Sequence, residues 1–118
     1  MKFGAMIATR IDDWRLLVDA EQLGYDHGWV PDSQMIWSDC YAVLALAAAN
    51  TSRIRLGTGV AIAGTRTAPV TAHSIATINQ IAPGRVFLGF CGGEQWSGES
   101  QKGQSRQDGG FAHVRKSP

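Results

Sequence analysis

Short runs of apolar residues alternate along the chain with stretches whose apolar positions recur every three or four residues. Lys2–Ala8 (KFGAMIA) is a run of the first kind and predicts a buried strand. Asp12 and Asp13 then offer an N-cap and negative charge for a first helical turn. From Trp14 to Leu23, the residues Leu16, Leu17, Ala20 and Leu23 keep helical spacing, and Gly24 suits a left-handed end to that helix. Gly28-Trp29-Val30 predicts a second strand, stopped by Pro31-Asp32-Ser33. Asp39 is placed to cap a second helix over Tyr41–Ala49, apolar nearly all round and so expected to be buried on more than one side. Ile54–Ile62 (IRLGTGVAI) predicts a third strand with two interior glycines. Thr67-Ala68-Pro69 opens a third helix whose apolar side is Ala72, Ile75, Ala76, Ile78 and Ile81. Pro83-Gly84 turns the chain into a fourth strand, Arg85–Phe90.

The resulting order, βαβαβαβ over residues 2–90, predicts an α/β fold with a parallel sheet covered by helices and right-handed crossovers. After Phe90 the pattern stops. Residues 91–118 contain six glycines, no Leu or Ile and one Val, with no period of 2 or 3.6. The expected organisation is therefore a folded part, 1–90, and an irregular or disordered tail, 91–118. So abrupt a loss of pattern is what a shift of reading frame produces; a gene fragment and a genuine short protein are the other readings.

At 118 residues the chain has the length of one ordinary domain and falls short of the roughly 250 residues typical of a complete eight-stranded α/β barrel. The formal charge of +1 comes without a basic cluster, which argues against a nucleic-acid partner. Cys40 and Cys91 make no disulfide framework, and the N-terminus lacks a secretory pattern. The longest uncharged stretch near the middle, 40–52, is too short to cross a bilayer. A soluble cytoplasmic protein is expected.

In parallel α/β folds ligands meet the carboxyl ends of the strands. Those ends are Ala8-Thr9, Pro31-Asp32-Ser33, Gly59-Val60-Ala61 and Gly89-Phe90-Cys91. Asp32 and Ser33 either hold a polar ligand or only turn the chain. Gly57-Thr58-Gly59 does not make a dinucleotide fingerprint, because Ile62 stands where a third glycine is needed. The pair instead marks a backbone that passes close to a flat ring, or simply tight packing. His27, His73 and His113 lack partners at metal-ligand spacing, so no metal site is expected. Cys91 has no base beside it in sequence, and Trp14, Trp29 and Trp37 read as core or pocket wall.

Four stretches taken together resemble the luciferase-like monooxygenase family, within it most nearly the deazaflavin-dependent reductases similar to methylenetetrahydromethanopterin reductase. They are Trp29–Gln34 (WVPDSQ), Ile54–Val60 (IRLGTGV), Thr65–Ala72 (TRTAPVTA) and Ile75–Phe90 (IATINQIAPGRVFLGF), in the family's order and spacing. The resemblance covers residues 2–90 and implies the N-terminal half of a TIM (β/α)₈ barrel, about four βα units. It implies an oxidoreductase using reduced FMN or an 8-hydroxy-5-deazaflavin coenzyme for hydride transfer or monooxygenation of a small-molecule substrate. It further implies a third-strand bulge with a non-prolyl cis bond, here Gly59–Val60, behind the cofactor ring. Asp32 matches an acidic position that faces the cofactor, so Asp32, Gly59 and Val60, with Thr9 beside them, are the expected cofactor contacts. Ala61 stands where relatives often carry an amide or hydroxyl, and no catalytic residue is assigned. Relatives continue after the fourth strand with further βα units. The alternative expectation is accordingly a non-catalytic fragment, or a remnant that closes its sheet by forming a homo-oligomer.

Overall fold

The computed structural model describes residues 1–92 together with the backbone of 111–113. Four strands form a parallel sheet in the order β1 (Gly4–Met6), β2 (His27–Val30), β3 (Arg55–Thr58) and β5 (Val86–Cys91). The short strand β4 (Ala61–Ile62) follows β3 and pairs with the outer part of β5. Helices α1 (Trp14–Gln22), α2 (Cys40–Asn50) and α3 (Ala68–Ile81) make the crossovers, and a turn of 3₁₀-helix, Ala63–Thr65, precedes α3. The expected α/β class, with a parallel sheet and helical crossovers, holds. Residues 93–110 and 114–118, most of the stretch expected to be irregular, lie outside the described residues. Cys91 belongs to β5, and Phe111–His113 forms a strand, β6, antiparallel to β5.

The local rules for helix ends hold at some sites and fail at one. The Asp39 carboxylate accepts the N–H groups of Tyr41 (2.7 Å) and Ala42 (3.3 Å) and so caps α2. Pro69 sits in the first turn of α3, and Gly24 closes α1 at φ +92°. Asp13 occupies the N-cap position of α1 with helical backbone angles and makes no side-chain cap. With φ and ψ already helical, its side chain is not aimed back at the free N–H groups.

One core lies between the sheet and the helices: Leu17 of α1, Val43, Leu44 and Ala47 of α2, Ile75 and Ile78 of α3, Val30, Leu56 and Val86 from the sheet, and Ile7 just after β1. Helix α2 is the middle of the three, packed by α1 on one side and α3 on the other, which is why an all-apolar sequence suits it. Leu16 and Leu23 of α1 are exposed despite their helical spacing; the buried stripe is Leu17 and Ala20. Helix α3 buries Ile75 and Ile78 and leaves Ala72, Ala76 and Ile81 exposed.

The lower edge of the sheet, where the helices end and the strands begin, is held by two charged side chains. The Glu21 carboxylate accepts the N–H groups of Ser52 (3.0 Å), Arg53 (2.6 Å) and Ile54 (2.7 Å), tying α1 to the start of β3. Arg85 donates to the carbonyls of Ala48 (3.2 Å), Thr51 (2.8 Å) and Ile54 (3.0 Å), which satisfies the carboxyl end of α2. With this edge held, the opposite edge is free to carry function. Among the described residues no helix is long and apolar enough to cross a membrane.

Candidate functional site at the carboxyl edge of the sheet

The predicted third strand is interrupted. Leu56 pairs with Val86 and Gly57 with Phe87, but Ala61 pairs with Phe90. The β3–β4 side thus carries one residue more than β5 over the same span, which is the count of a β-bulge. The bulge holds Gly59 and Val60, and the bond between them is cis. Thr58, fully buried, fills the gap in the ladder: its hydroxyl donates to the Gly89 carbonyl and accepts the Gly89 N–H (3.0 Å).

The glycines around the bulge are explained by neighbours within the chain. A Cβ on Gly57 would lie 2.3 Å from the Phe87 ring and 2.6 Å from the Phe87 carbonyl oxygen. On Gly59 it would lie 2.7 Å from Cβ of Trp29. Of the two readings of Gly57-Thr58-Gly59, tight packing accounts for both glycines. The side chains they admit belong to the sheet face opposite the helices. There His27 stacks on Trp29 with ring centroids 5.6 Å apart, and Phe87 meets Trp29 edge-on at 6.1 Å. Burial, with the charges of Arg55 and Lys2 beside it, pushes the His27 imidazole below its ordinary pKa.

The four residues expected at the cofactor all stand along this edge. The Gly59 N–H donates to the Val30 carbonyl (3.0 Å) and the Asp32 N–H to the Val60 carbonyl (3.4 Å), which joins the end of β2 to the bulge. Val60 is 37% exposed. Thr9 is fully buried; its hydroxyl donates to the Pro31 carbonyl and its own carbonyl accepts the Ser38 N–H (2.8 Å). Thr9 therefore braces the two loops behind the edge. Asp32 is buried, and its Oδ2 accepts the Ile62 N–H (3.4 Å) and faces Nη1 of Arg66 (3.2 Å).

The partners of Asp32 include a residue that sequence reasoning missed. Arg66 was visible only as part of the stretch Thr65–Ala72, with nothing in its spacing to say which carboxylates it meets. Its Nη2 lies 2.7 Å from Asp39 Oδ2, and its guanidinium carbon 4.6 Å from the centre of the Tyr41 ring. The Cys40 thiol sits in the same group. Burial first, then the nearby Asp32 and Asp39 charges, push it up to about 12, so it is no thiolate nucleophile.

Two openings adjoin the edge. One, between the bulge strand and α3, measures about 230 Å³ and is lined by apolar Ala61, Ile62, Ala72, Leu88 and Phe90 with Arg66 at its side. The other is a shallow cleft formed by Arg10, Ile36, Trp37 and Ser38 from the loops after β1 and β2. Trp37 is thus pocket wall, while Trp29 lies on the open face of the sheet. Among the described residues no group of three or more His, Cys, Asp or Glu side chains gathers to hold a metal ion.

Comparison with known proteins gives this edge a context. Residues 2–114 match the family model described as luciferase-like monooxygenase, beyond the residue 90 at which the motifs quoted above stop. The chain is 46% identical over 76 residues to 5,10-methylenetetrahydromethanopterin reductase of Methanolobus tindarius, covering 64% of this chain and 23% of that protein. It is 41% identical over 85 residues to the F420-dependent glucose-6-phosphate dehydrogenase of Kineococcus radiotolerans, covering 65% and 25%. Its fold superposes with a TM-score of 0.69 on the coenzyme F420 dependent tetrahydromethanopterin reductase from Methanopyrus kandleri, at 33% identity, covering 75% of this chain and 26% of that one. An FMN-bound Baeyer–Villiger monooxygenase from Pseudomonas putida shares the fold at a TM-score of 0.72 and 20% identity. The chain spans about a quarter of the length of the relatives it matches.

Proposed function

The chain belongs to the luciferase-like monooxygenase family, a family of F420- and flavin-dependent oxidoreductases and monooxygenases, and from that premise we propose that the carboxyl edge of its sheet holds the ring of an 8-hydroxy-5-deazaflavin coenzyme. In this reading the reaction is hydride transfer between the coenzyme and a small-molecule substrate. The observation that carries it is the bulge: the ladder opens at Gly59–Val60, leaving Val60 exposed beside the buried carboxylate of Asp32.

The residues present fit such a group. A flat ring needs an apolar backing that does not move and polar anchors at its rim. Val60 offers the backing, with the Trp29 side chain packed beneath Gly59. Asp32 and Thr9 keep the end of β2 and the loop after β1 in place around it. The deazaflavin supplies the redox chemistry when bound; the chain's part is to orient the ring and to exclude water from one face of it. FMN is the rival occupant. The deazaflavin is preferred because the relatives at 46% and 41% identity are a methylenetetrahydromethanopterin reductase and an F420-dependent dehydrogenase, whereas the FMN-bound neighbour shares the fold at only 20% identity.

The test is a fluorescence titration of coenzyme F420 into the purified chain, with FMN in parallel. Saturable quenching at micromolar coenzyme, weaker for FMN and reduced by Val60→Asp, is the expected result. Absence of saturable binding by either compound overturns the reading for this chain. A second reading, a non-catalytic chain that closes its sheet against a second copy, is favoured by the exposure of Met6 (65%) and Phe90 (39%). Sedimentation velocity separates the two: concentration-dependent dimerisation with no coenzyme uptake supports the second.

A further inference from the structure

We propose that Arg66 is a positioning residue for the coenzyme edge: its guanidinium clamps the Asp32 carboxylate between the bulge and the start of α2, and so fixes the spacing of the edge before any ligand arrives. The inference deepens the reading above and rests on it for the part that concerns the coenzyme.

Four segments meet at this one side chain. Asp32 closes β2, Ile62 belongs to β4 beyond the bulge, Asp39 caps α2, and Arg66 itself lies on the connection into α3. Asp32 spends Oδ2 on the Ile62 N–H (3.4 Å) and Arg66 Nη1 (3.2 Å). Asp39 divides its two oxygens, Oδ1 to the N–H groups of Tyr41 and Ala42 and Oδ2 to Arg66 Nη2 (2.7 Å). The two arms of a planar fork thus reach two carboxylates on different elements, a geometry that an ammonium group cannot copy. Beneath the fork lies the Tyr41 ring, which limits its rotation.

Exposure decides which half of the clamp matters. The Asp39 side chain is 52% exposed and the Asp32 side chain 4%. Water replaces Arg66 for Asp39 at little cost. For Asp32 it does not, and a buried carboxylate without its cation must be resolvated by opening the structure around it. What would open is the contact between Asp32 and Ile62, which is the seam between the end of β2 and the bulge. Among the described residues Cys40 and Tyr41 also lie close enough to feel the Asp32 charge, and neither is a cation.

Amide hydrogen exchange on the full chain tests this without a ligand. In Arg66→Gln, the amides of Asp32 and Ile62 are expected to exchange roughly tenfold faster or more, while core amides such as Val43 and Leu56 keep their rates. Arg66→Lys, which retains one charge, is expected to recover part of the protection, and it carries the comparison should Arg66→Gln fail to fold. Unchanged exchange at Asp32 and Ile62, or an equal acceleration throughout the chain, overturns the proposal. A double-mutant cycle on coenzyme F420 affinity supplies the second arm: Arg66→Gln weakens binding in the natural background and adds nothing in Asp32→Asn. Additive losses contradict action through Asp32. If the natural chain takes up no coenzyme, the proposed function fails, and the exchange result still decides the clamp.

Discussion

Substituting Gly57→Ala tests the packing that underlies the bulge. Gly57 pairs with Phe87, and the added methyl would lie 2.3 and 2.4 Å from two ring carbons and 2.6 Å from the Phe87 carbonyl oxygen. The ring can rotate aside. The carbonyl cannot, because it belongs to the neighbouring strand, and restoring ordinary contact at about 3.4 Å demands a retreat of about 0.8 Å. Overpacking of this kind costs about 1–3 kcal/mol. Against it stands the reduced freedom of the unfolded chain, which favours Ala over Gly by about 0.4–1 kcal/mol where the backbone permits. The backbone does permit it: positive φ occurs at Gly24 and Gly84, not at Gly57. Sterics therefore sets the sign, and Gly57→Ala is expected to lose about 1–2 kcal/mol in urea unfolding followed by tryptophan fluorescence. Gly64→Ala is the control. Its Cβ would meet nothing within 4 Å, so it is expected to be neutral or up to about 1 kcal/mol more stable. Equal stability of Gly57→Ala and the natural chain would refute the close packing of β3 on β5.

Glu21→Gln is expected to cost about 1–2 kcal/mol at neutral pH, discounted for the solvent around the carboxylate. Burial works to raise the Glu21 pKa, but the N–H groups of Ile54, Ser52 and Arg53, with the charge of Arg85, outweigh it and hold it below the ordinary value of 4.5. That contribution is complete above the unfolded value and is lost as pH falls through the lower folded one; the urea midpoints of the two proteins should converge as the pH is taken down below 4.5. Thr58→Val strips the Gly89 N–H and carbonyl of their buried partner and is expected to cost about 2 kcal/mol or more by the same assay; a loss under 0.5 kcal/mol would mean that water takes its place. Thiol titration at pH 8 should find Cys91 reacting first and Cys40 only on unfolding, since a thiol at about 12 is ionised to about one part in ten thousand. Equal rates at both cysteines in the native chain would contradict the burial of Cys40.

The alternation of strands and helices was legible because each element writes its own period into the chain. Asp39, Pro69 and Gly24 announced helix ends through chemistry that acts within a turn. The carboxyl edge was legible as a place, since Thr9, Asp32, Gly59 and Val60 follow from where strands stop. Its internal contacts were not. The apolar pattern of Ile54–Ile62 does not show that the strand breaks; the family resemblance placed a bulge with a cis bond at Gly59–Val60, and both stand there. Thr58 shows no sign in sequence that its hydroxyl bridges Gly89. Arg66 meets carboxylates 34 and 27 residues away, separations that no local pattern encodes. Leu16 and Leu23 show the same limit from the other side: helical spacing marks an apolar stripe, and only the packing of α2 on α1 decides that the buried side passes through Leu17 and Ala20.

The most direct test of the account is to map the coenzyme on the chain by two-dimensional NMR. On titration with coenzyme F420, the amide signals of Thr9, Asp32, Gly59 and Val60 should shift together and saturate at one affinity, while those of Glu21, Ser52 and Ile54 at the opposite edge stay in place. Saturable shifts confined to any other part of the chain, or no shift at any concentration of coenzyme, would contradict the assignment of the carboxyl edge as the cofactor site.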